Sequence, residues 1–243
     1  MRPGSSVGIV SIIAVLASTG RAGTVVGKLE LPPAPERGPV IARGFVDRVE
    51  NPLAEIKKPN LAPYLVVTLE PSEGGQRPDT APAQVSWDLV GESFARPVIA
   101  VPVGAAVVIK NQTRTPRTIA AAEDPKLISG SLNPTESKSF RATQPAIYTI
   151  GDRDAPYLKG KIVVVASPHV ASLDDSGRFE MTDVPDGSYK LRVFYYDPIA
   201  EAHGQRSDWL AFTTDVTVAP KGKSNRTEVN SKLPALSTAT GKK

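Results

Sequence analysis

Residues 98–121 read VIAVPVGAAVVIKNQTRTPRTIAA, and this stretch decides the fold class. Val98–Val101 and Ala105–Lys110 are short runs rich in β-branched residues, which fit a pleated, half-buried surface. Val103-Gly104 makes the turn between them, because glycine tolerates positive φ. Asn111 opens a polar loop, and Thr118–Ala121 begins a third run. Working outward, the same texture of Val-, Ile-, Thr- and Tyr-rich runs between Gly, Pro, Asn and Asp clusters continues in both directions. Strands are expected at Thr24–Leu31, Tyr64–Leu69, Gln84–Leu89, Lys138–Arg141, Ala146–Ile150 and Lys161–Val165, then at Arg178–Thr182, Tyr189–Tyr195, Ala211–Val218 and Thr227–Leu233. No segment carries a long 3.6-residue apolar repeat, so helices should be few and short. Short strands separated by frequent turn signals are the pattern of an all-β sandwich protein.

The flanks carry other signals. Arg2, the apolar run Val7–Leu16 and the small residues of Gly20-Arg21-Ala22 have the three-part layout of a secretory signal, with cleavage expected after Ala22. The run is about half the roughly 20 apolar residues needed to cross a bilayer, so no membrane span is expected after cleavage. Export to the periplasm or beyond follows. Pro32–Pro39 (PPAPERGP) reads as a stiff connector and Pro71–Pro82 as a surface loop; Asn230–Lys243 reads as a loose tail. The chain has no cysteine. Disulfides, thiolate zinc sites and a lipoprotein anchor are thereby excluded. Of the formal charge of +4, Arg2 and Arg21 supply two, leaving +2 on the exported part. No basic run is interleaved with aromatics, so no nucleic-acid partner is expected.

The 98–121 stretch closely resembles a cupredoxin hairpin, as found in bacterial plastocyanin-like secreted proteins. In that family a Val-x-x-Gly-x-x-Val strand pair leads into an Asn-rich loop whose histidine is the first copper ligand. Where the family has His-Asn-Val, this chain has Arg117-Thr118-Ile119. The family's later Cys-x-x-His-x-x-Met loop corresponds to a position within YTIGDRDAPYLKGKIVVV (Tyr148–Val165). Aligned on Pro156, Tyr157, Leu158 and Gly160, the cysteine position falls on Asp152, the histidine on Ala155 and the methionine on Leu158. A type-1 copper centre is defined by its thiolate, so the resemblance implies the frame without the metal and no cofactor. A protonated guanidinium cannot ligate copper. Arg117 and the Asp152–Asp154 pair would flank the former site, where an Arg–carboxylate bridge with two parallel hydrogen bonds could replace the metal clamp. The alternative is that all three are solvated loop charges.

Beyond Ala171 the text changes. SLDDSGRFEMTDVPDGSYKLRVFYYD (Ser172–Asp197) is similar to the carboxypeptidase regulatory-like domain, a small transthyretin-like sandwich. Asp175 to Gly177 and Pro185 to Gly187 are its turns, Phe179 and Met181 share one strand face, and Tyr189, Leu191 and Val193 share another. In that family such domains act as folding aids, spacers or adhesive modules without catalytic residues.

Other chemistry is thin. His203 lies near Ser207 and Asp208, but no Gly-x-Ser-x-Gly elbow presents a nucleophile. Asp174, Asp175, Asp183 and Asp186 do not have EF-hand spacing. Tyr195, Tyr196 and Trp209 are candidates for a sugar-stacking surface, with core packing as the alternative. The organisation expected is a signal at 1–22, a cupredoxin-like Greek-key sandwich at 23–166 with extra N-terminal strands, a transthyretin-like sandwich at 167–234 and a tail at 235–243. The function expected is non-enzymatic binding of an envelope protein or a glycan. The alternative is a copper or other metal protein using non-thiolate ligands such as His169, His203 or the aspartates.

Overall fold

The computed structural model describes residues 23–32, 60–72, 84–196, 210–218 and 226–234. The expected signal segment at 1–22, most of both Pro-rich stretches, His203, Ser207, Asp208, Trp209 and the 235–243 stretch expected to be a tail lie outside the described residues. Sixteen strands are present among the described residues: β1 Gly23–Glu30, β2 Leu65–Pro71, β3 Gln84–Val90, β4 Ser93–Phe94, β5 Val98–Pro102, β6 Ala106–Asn111, β7 Arg117–Ala121, β8 Ser129–Leu132, β9 Ser137–Arg141, β10 Ala146–Asp152, β11 Lys159–Val165, β12 Val170–Ser172, β13 Arg178–Val184, β14 Gly187–Tyr195, β15 Leu210–Val218 and β16 Arg226–Lys232. One 3-10 turn, Ala62–Tyr64, is the only helical element among the described residues. The fold is all-β.

The strands form four sheets, ordered β4-β3-β6-β9, β5-β11-β10-β7-β8, β12-β2-β14-β15 and β13-β1-β16. The first two enclose one core, including Trp87, Ile109, Ile119, Leu132, Ile150, Leu158 and Ile162. The other two enclose a second, including Leu29, Leu65, Leu69, Phe179, Met181, Tyr189, Leu191 and Val193. Gly104, at φ 80°, and Gly177, at φ 79°, occupy left-handed backbone in the expected turns.

The expected domain organisation needs one correction. Residues 23–90 do not all extend the first sandwich. β1 lies between β13 (antiparallel) and β16 (parallel), and β2 lies between β12 and β14, so both belong to the second sandwich. Only β3 of that stretch pairs with first-sandwich strands, β4 and β6. The physical reason is that β13 and β16 would otherwise lack a central partner for their backbone groups. Closing a long loop adds little cost, about 0.6 kcal/mol per doubling of length.

The two sandwiches share a wall. Period-two alternation sends Ile99, Val101, Ile162 and Val164 into the first core, while their neighbours Val98, Ala100, Val163 and Val165 pack with Val66 and Tyr196 in a third apolar layer. β2 does the same toward the second core through Leu65, Val67 and Leu69. Strands buried on both faces read as unbroken apolar runs rather than alternating ones, which accounts for KIVVV in β11 and LVV in β2. Lys161 is buried in this layer, with its ammonium 5.5 Å from the centre of the Tyr196 ring and donating to Thr149 Oγ1 at 2.5 Å. Gly160 permits a second close approach. A Cβ there would lie 2.4 Å from Trp87 Cζ2 and 2.8 Å from Phe94 Cδ2, two rings stacked at 3.9 Å.

Candidate functional site

β7 and β10 run antiparallel, with Asp152 opposite Ile119 and the Arg153 amide donating to the Thr118 carbonyl at 2.8 Å. That register brings Arg117, at the start of β7, beside Asp152, at the end of β10. Both are buried, at 7% and 5% exposure. Arg117 Nη1 donates to Asp152 Oδ2 at 3.5 Å; Nη2 donates to the Gly91 carbonyl at 3.3 Å and to Glu92 Oε1 at 3.4 Å. Asp152 Oδ1 accepts from the Thr118 amide at 3.2 Å and the Asp154 amide at 3.0 Å. Tyr157 Oη donates to Glu92 Oε2 at 2.5 Å. Arg117 Nε has no partner.

The electrostatics follow the contacts. Tyr157's hydrogen bond, assisted by Arg117, holds the Glu92 carboxyl below the usual range, and Glu92 in turn raises the Tyr157 phenol. Burial alone would lower the Arg117 guanidinium, but Tyr157, Glu92 and Asp152 outweigh it and raise the group, so it remains cationic.

Of the residues singled out at the loops that the resemblance aligned with copper ligands, the fold brings Arg117 and Asp152 together and leaves Asp154 out. The Asp154 side chain is exposed and reaches only Arg153 Nε, at 4.0 Å. The solvated-charge alternative therefore fails for Arg117 and Asp152, and the two-bond geometry is corrected as well, because one long contact joins them. Ala155 and Leu158 are buried in the first core, and the loop closes through Leu158 N to Ala155 O at 2.8 Å and Asp152 N to Leu158 O at 3.1 Å. Glu92 and Tyr157 were not foreseen as partners. They lie 65 positions apart, and no sequence signal joins them, because their meeting depends on the direction of the turn at Gly91, φ 60°.

These residues do not fit a type-1 copper ion. No thiolate, imidazole or thioether stands at the four positions, and a fixed cation lies 3.5 Å from the one carboxylate among them. Among the described residues no group of three His, Asp or Glu could hold a metal ion. Asp174 Oδ1 is taken by the Ser176 amide, the Ser176 hydroxyl and the Arg178 amide at 2.8 to 2.9 Å, which makes it a turn residue.

The aromatic surface is corrected. Tyr195 is buried in the second core and Tyr196 is fully buried between the sandwiches. Both faces of the second sandwich's β2-β14 sheet are covered, so adjacent tyrosines that alternate outward both meet protein. Trp209 lies outside the described residues.

His169 is buried beside β12. Its amide donates to Ser167 Oγ at 3.1 Å, and its carbonyl accepts from the Leu69 amide at 2.9 Å. Its Nε2 has no partner, and the Tyr189 ring stands edge-on at 6.3 Å. Burial lowers the imidazole, with Asp183 opposing, so the folded protein holds it neutral. Below the unfolded value of about 6.5 the unfolded chain binds a proton that the fold does not, and stability falls as pH falls. We expect the thermal midpoint to drop more between pH 7.5 and 5.5 in the native protein than in His169→Leu, with a slope of at most about 1.4 kcal/mol per pH unit from this one group. Equal slopes would remove His169 as the cause.

No family model matches the chain, and no curated protein does. Solved structures of cupredoxins do. A mutant of amicyanin in its Cu(I) state is 21% identical, with a TM-score of 0.31, over 34% of this chain and 82% of that one. A reduced amicyanin mutant is 22% identical, with a TM-score of 0.32, over 41% and 98%. A purple cupredoxin from Nitrosopumilus maritimus is 16% identical, with a TM-score of 0.29, over 33% and 99%. No described helix is long and apolar enough to cross a membrane.

Proposed function

We propose that this is an exported, non-enzymatic binding protein, built on a cupredoxin-type frame whose copper loops hold an ionic clamp, with a regulatory-like sandwich as its second module. The observation that carries the reading is the Arg117 guanidinium, buried where the resemblance puts the first copper ligand and facing Asp152 where it puts the thiolate. A guanidinium there supplies fixed charge and donors rather than electron transfer. The absence of cysteine from the whole chain supports the same conclusion. The partner is an envelope protein or a glycan, and the site of action is the periplasm or the cell exterior. The regulatory-like half serves as a rigid support, consistent with its apolar wall against the first sandwich.

Copper titration of the purified protein tests this directly, with absorption in the thiolate charge-transfer region and metal analysis after dialysis. We expect neither stoichiometric copper nor blue colour. Tight one-to-one copper would overturn the reading and assign ligands outside the Arg117 cluster.

A further inference from the structure

Only two large apolar side chains are strongly exposed among the described residues, Val90 at 49% and Tyr157 at 68%. Both flank Glu92. Val90 precedes it on the Gly91 turn and pairs with Ser93 across that turn, and the Tyr157 hydroxyl donates to it. The Glu92 side chain is itself 69% exposed and meets Arg117 through a single 3.4 Å contact. Both carboxylate contacts, this one and the 3.5 Å contact to Asp152, are longer than the roughly 2.7–2.9 Å of a strong charge-assisted bond, so exposure rather than length separates the two partners. Asp152, by contrast, is buried and tied to two backbone amides. The buried guanidinium therefore faces one buried carboxylate, the Gly91 carbonyl, one solvent-exposed carboxylate and has an unpartnered Nε.

We propose that Arg117 and the Tyr157 hydroxyl form a receptor for a single carboxylate on an acidic peptide segment of a protein partner, with Val90 and the Tyr157 ring as its apolar rim. Glu92 is the internal occupant of that receptor in the free protein. This rests on the reading of this end of the sandwich as a binding surface without metal. Exchanging one carboxylate for another leaves the local charge unchanged, whereas a dianionic phosphate would face Asp152, 3.5 Å from Nη1, without compensation. Apolar side chains around a polar contact exclude water from it, which suits a peptide whose acidic residue has an apolar neighbour. Because Glu92 is tethered, it competes at an effective concentration in the millimolar range, so the native protein binds weakly and loss of Glu92 tightens binding.

The test is an NMR titration of the Arg117 Nε–H resonance with a capped tetrapeptide carrying one glutamate beside a leucine, against the same peptide with glutamine. The glutamate peptide should give a saturable shift in the native protein. Its Kd should fall by about tenfold or more in Glu92→Ala and rise severalfold in Tyr157→Phe, both changes at exposed side chains. The glutamine peptide should give none. An equal response to glutamine, stronger binding of inorganic phosphate, or no tightening in Glu92→Ala would overturn the proposal. Copper added to the same sample separates the two readings. Stoichiometric copper that moves the Arg117 resonance overturns both, whereas silence toward copper and toward peptide in Glu92→Ala overturns only the carboxylate receptor.

Discussion

Alanine at Tyr196 will lower the unfolding free energy by about 3–5 kcal/mol, the range for removing a large buried aromatic side chain. Tyr196 is fully buried against Val66, Val98, Ala100, Val163 and Val165, so its ring has strands of both sandwiches as neighbours. Its amide also donates to the Tyr64 carbonyl at 2.9 Å, and that backbone bond survives the substitution. The loss should therefore come from the cavity and from the Lys161 ammonium, which stands 5.5 Å from the ring centre. Urea unfolding measures the total. Native-state hydrogen exchange locates it: amides of Ile162 in the first sandwich and Leu191 in the second should lose protection by similar amounts, because the removed ring lies between them. Loss confined to one sandwich would show that the shared wall does not couple the two cores.

Alanine at Arg117 will cost about 3 kcal/mol. Removing one partner of a buried ion pair typically costs about 3–5 kcal/mol, because a charge stays behind in a poorly solvated place. The lower end applies here, since the Thr118 and Asp154 amides still stabilise the Asp152 carboxylate. An exposed pair would be worth only about 0–1 kcal/mol, so the magnitude distinguishes the two situations. Asp152→Ala made on top of Arg117→Ala should cost less than it does alone, because the carboxylate it removes is already unpaired. Chemical denaturation of the four proteins in the cycle checks this, and strict additivity would show that the two groups act independently.

Thirteen of the sixteen strands fall on runs that β-branched residues and turn glycines already marked, with ends shifted by a residue or two. The remaining three are β4, β8 and β12, and each is short. Ser93–Phe94 spans two residues, Ser129–Leu132 reads SGSL, and Val170–Ser172 spans three. Segments this short and polar carry no periodicity. They are strands because a neighbour supplies a ladder: β3 for β4, β7 for β8 and β2 for β12.

At the site, the pairing of Arg117 with Asp152 was legible because a strand register and a loop resemblance placed both at one end of one sheet. Glu92 and Tyr157 were not legible, because their meeting depends on where the Gly91 turn points, which no local residue preference determines. Tyr195 and Tyr196 failed for a related reason. Alternation correctly sends them to opposite faces, but whether a face meets water depends on what packs against it.

By itself, the amino-acid sequence determined the all-β class, the strand periods, the turns at Gly104 and Gly177, and the absence of any thiolate with which to build a type-1 copper centre. These follow from side-chain volume, backbone preference and donor chemistry, which are properties of single residues and their immediate neighbours. Only the tertiary structure decided that β1 and β2 complete the second sandwich, that the two sandwiches share a buried wall, and that Arg117 sits between Asp152 and Glu92. Those outcomes depend on contacts between residues far apart in the chain, where the burial of apolar faces and the satisfaction of backbone groups select one partner among several that local sequence would accept equally well.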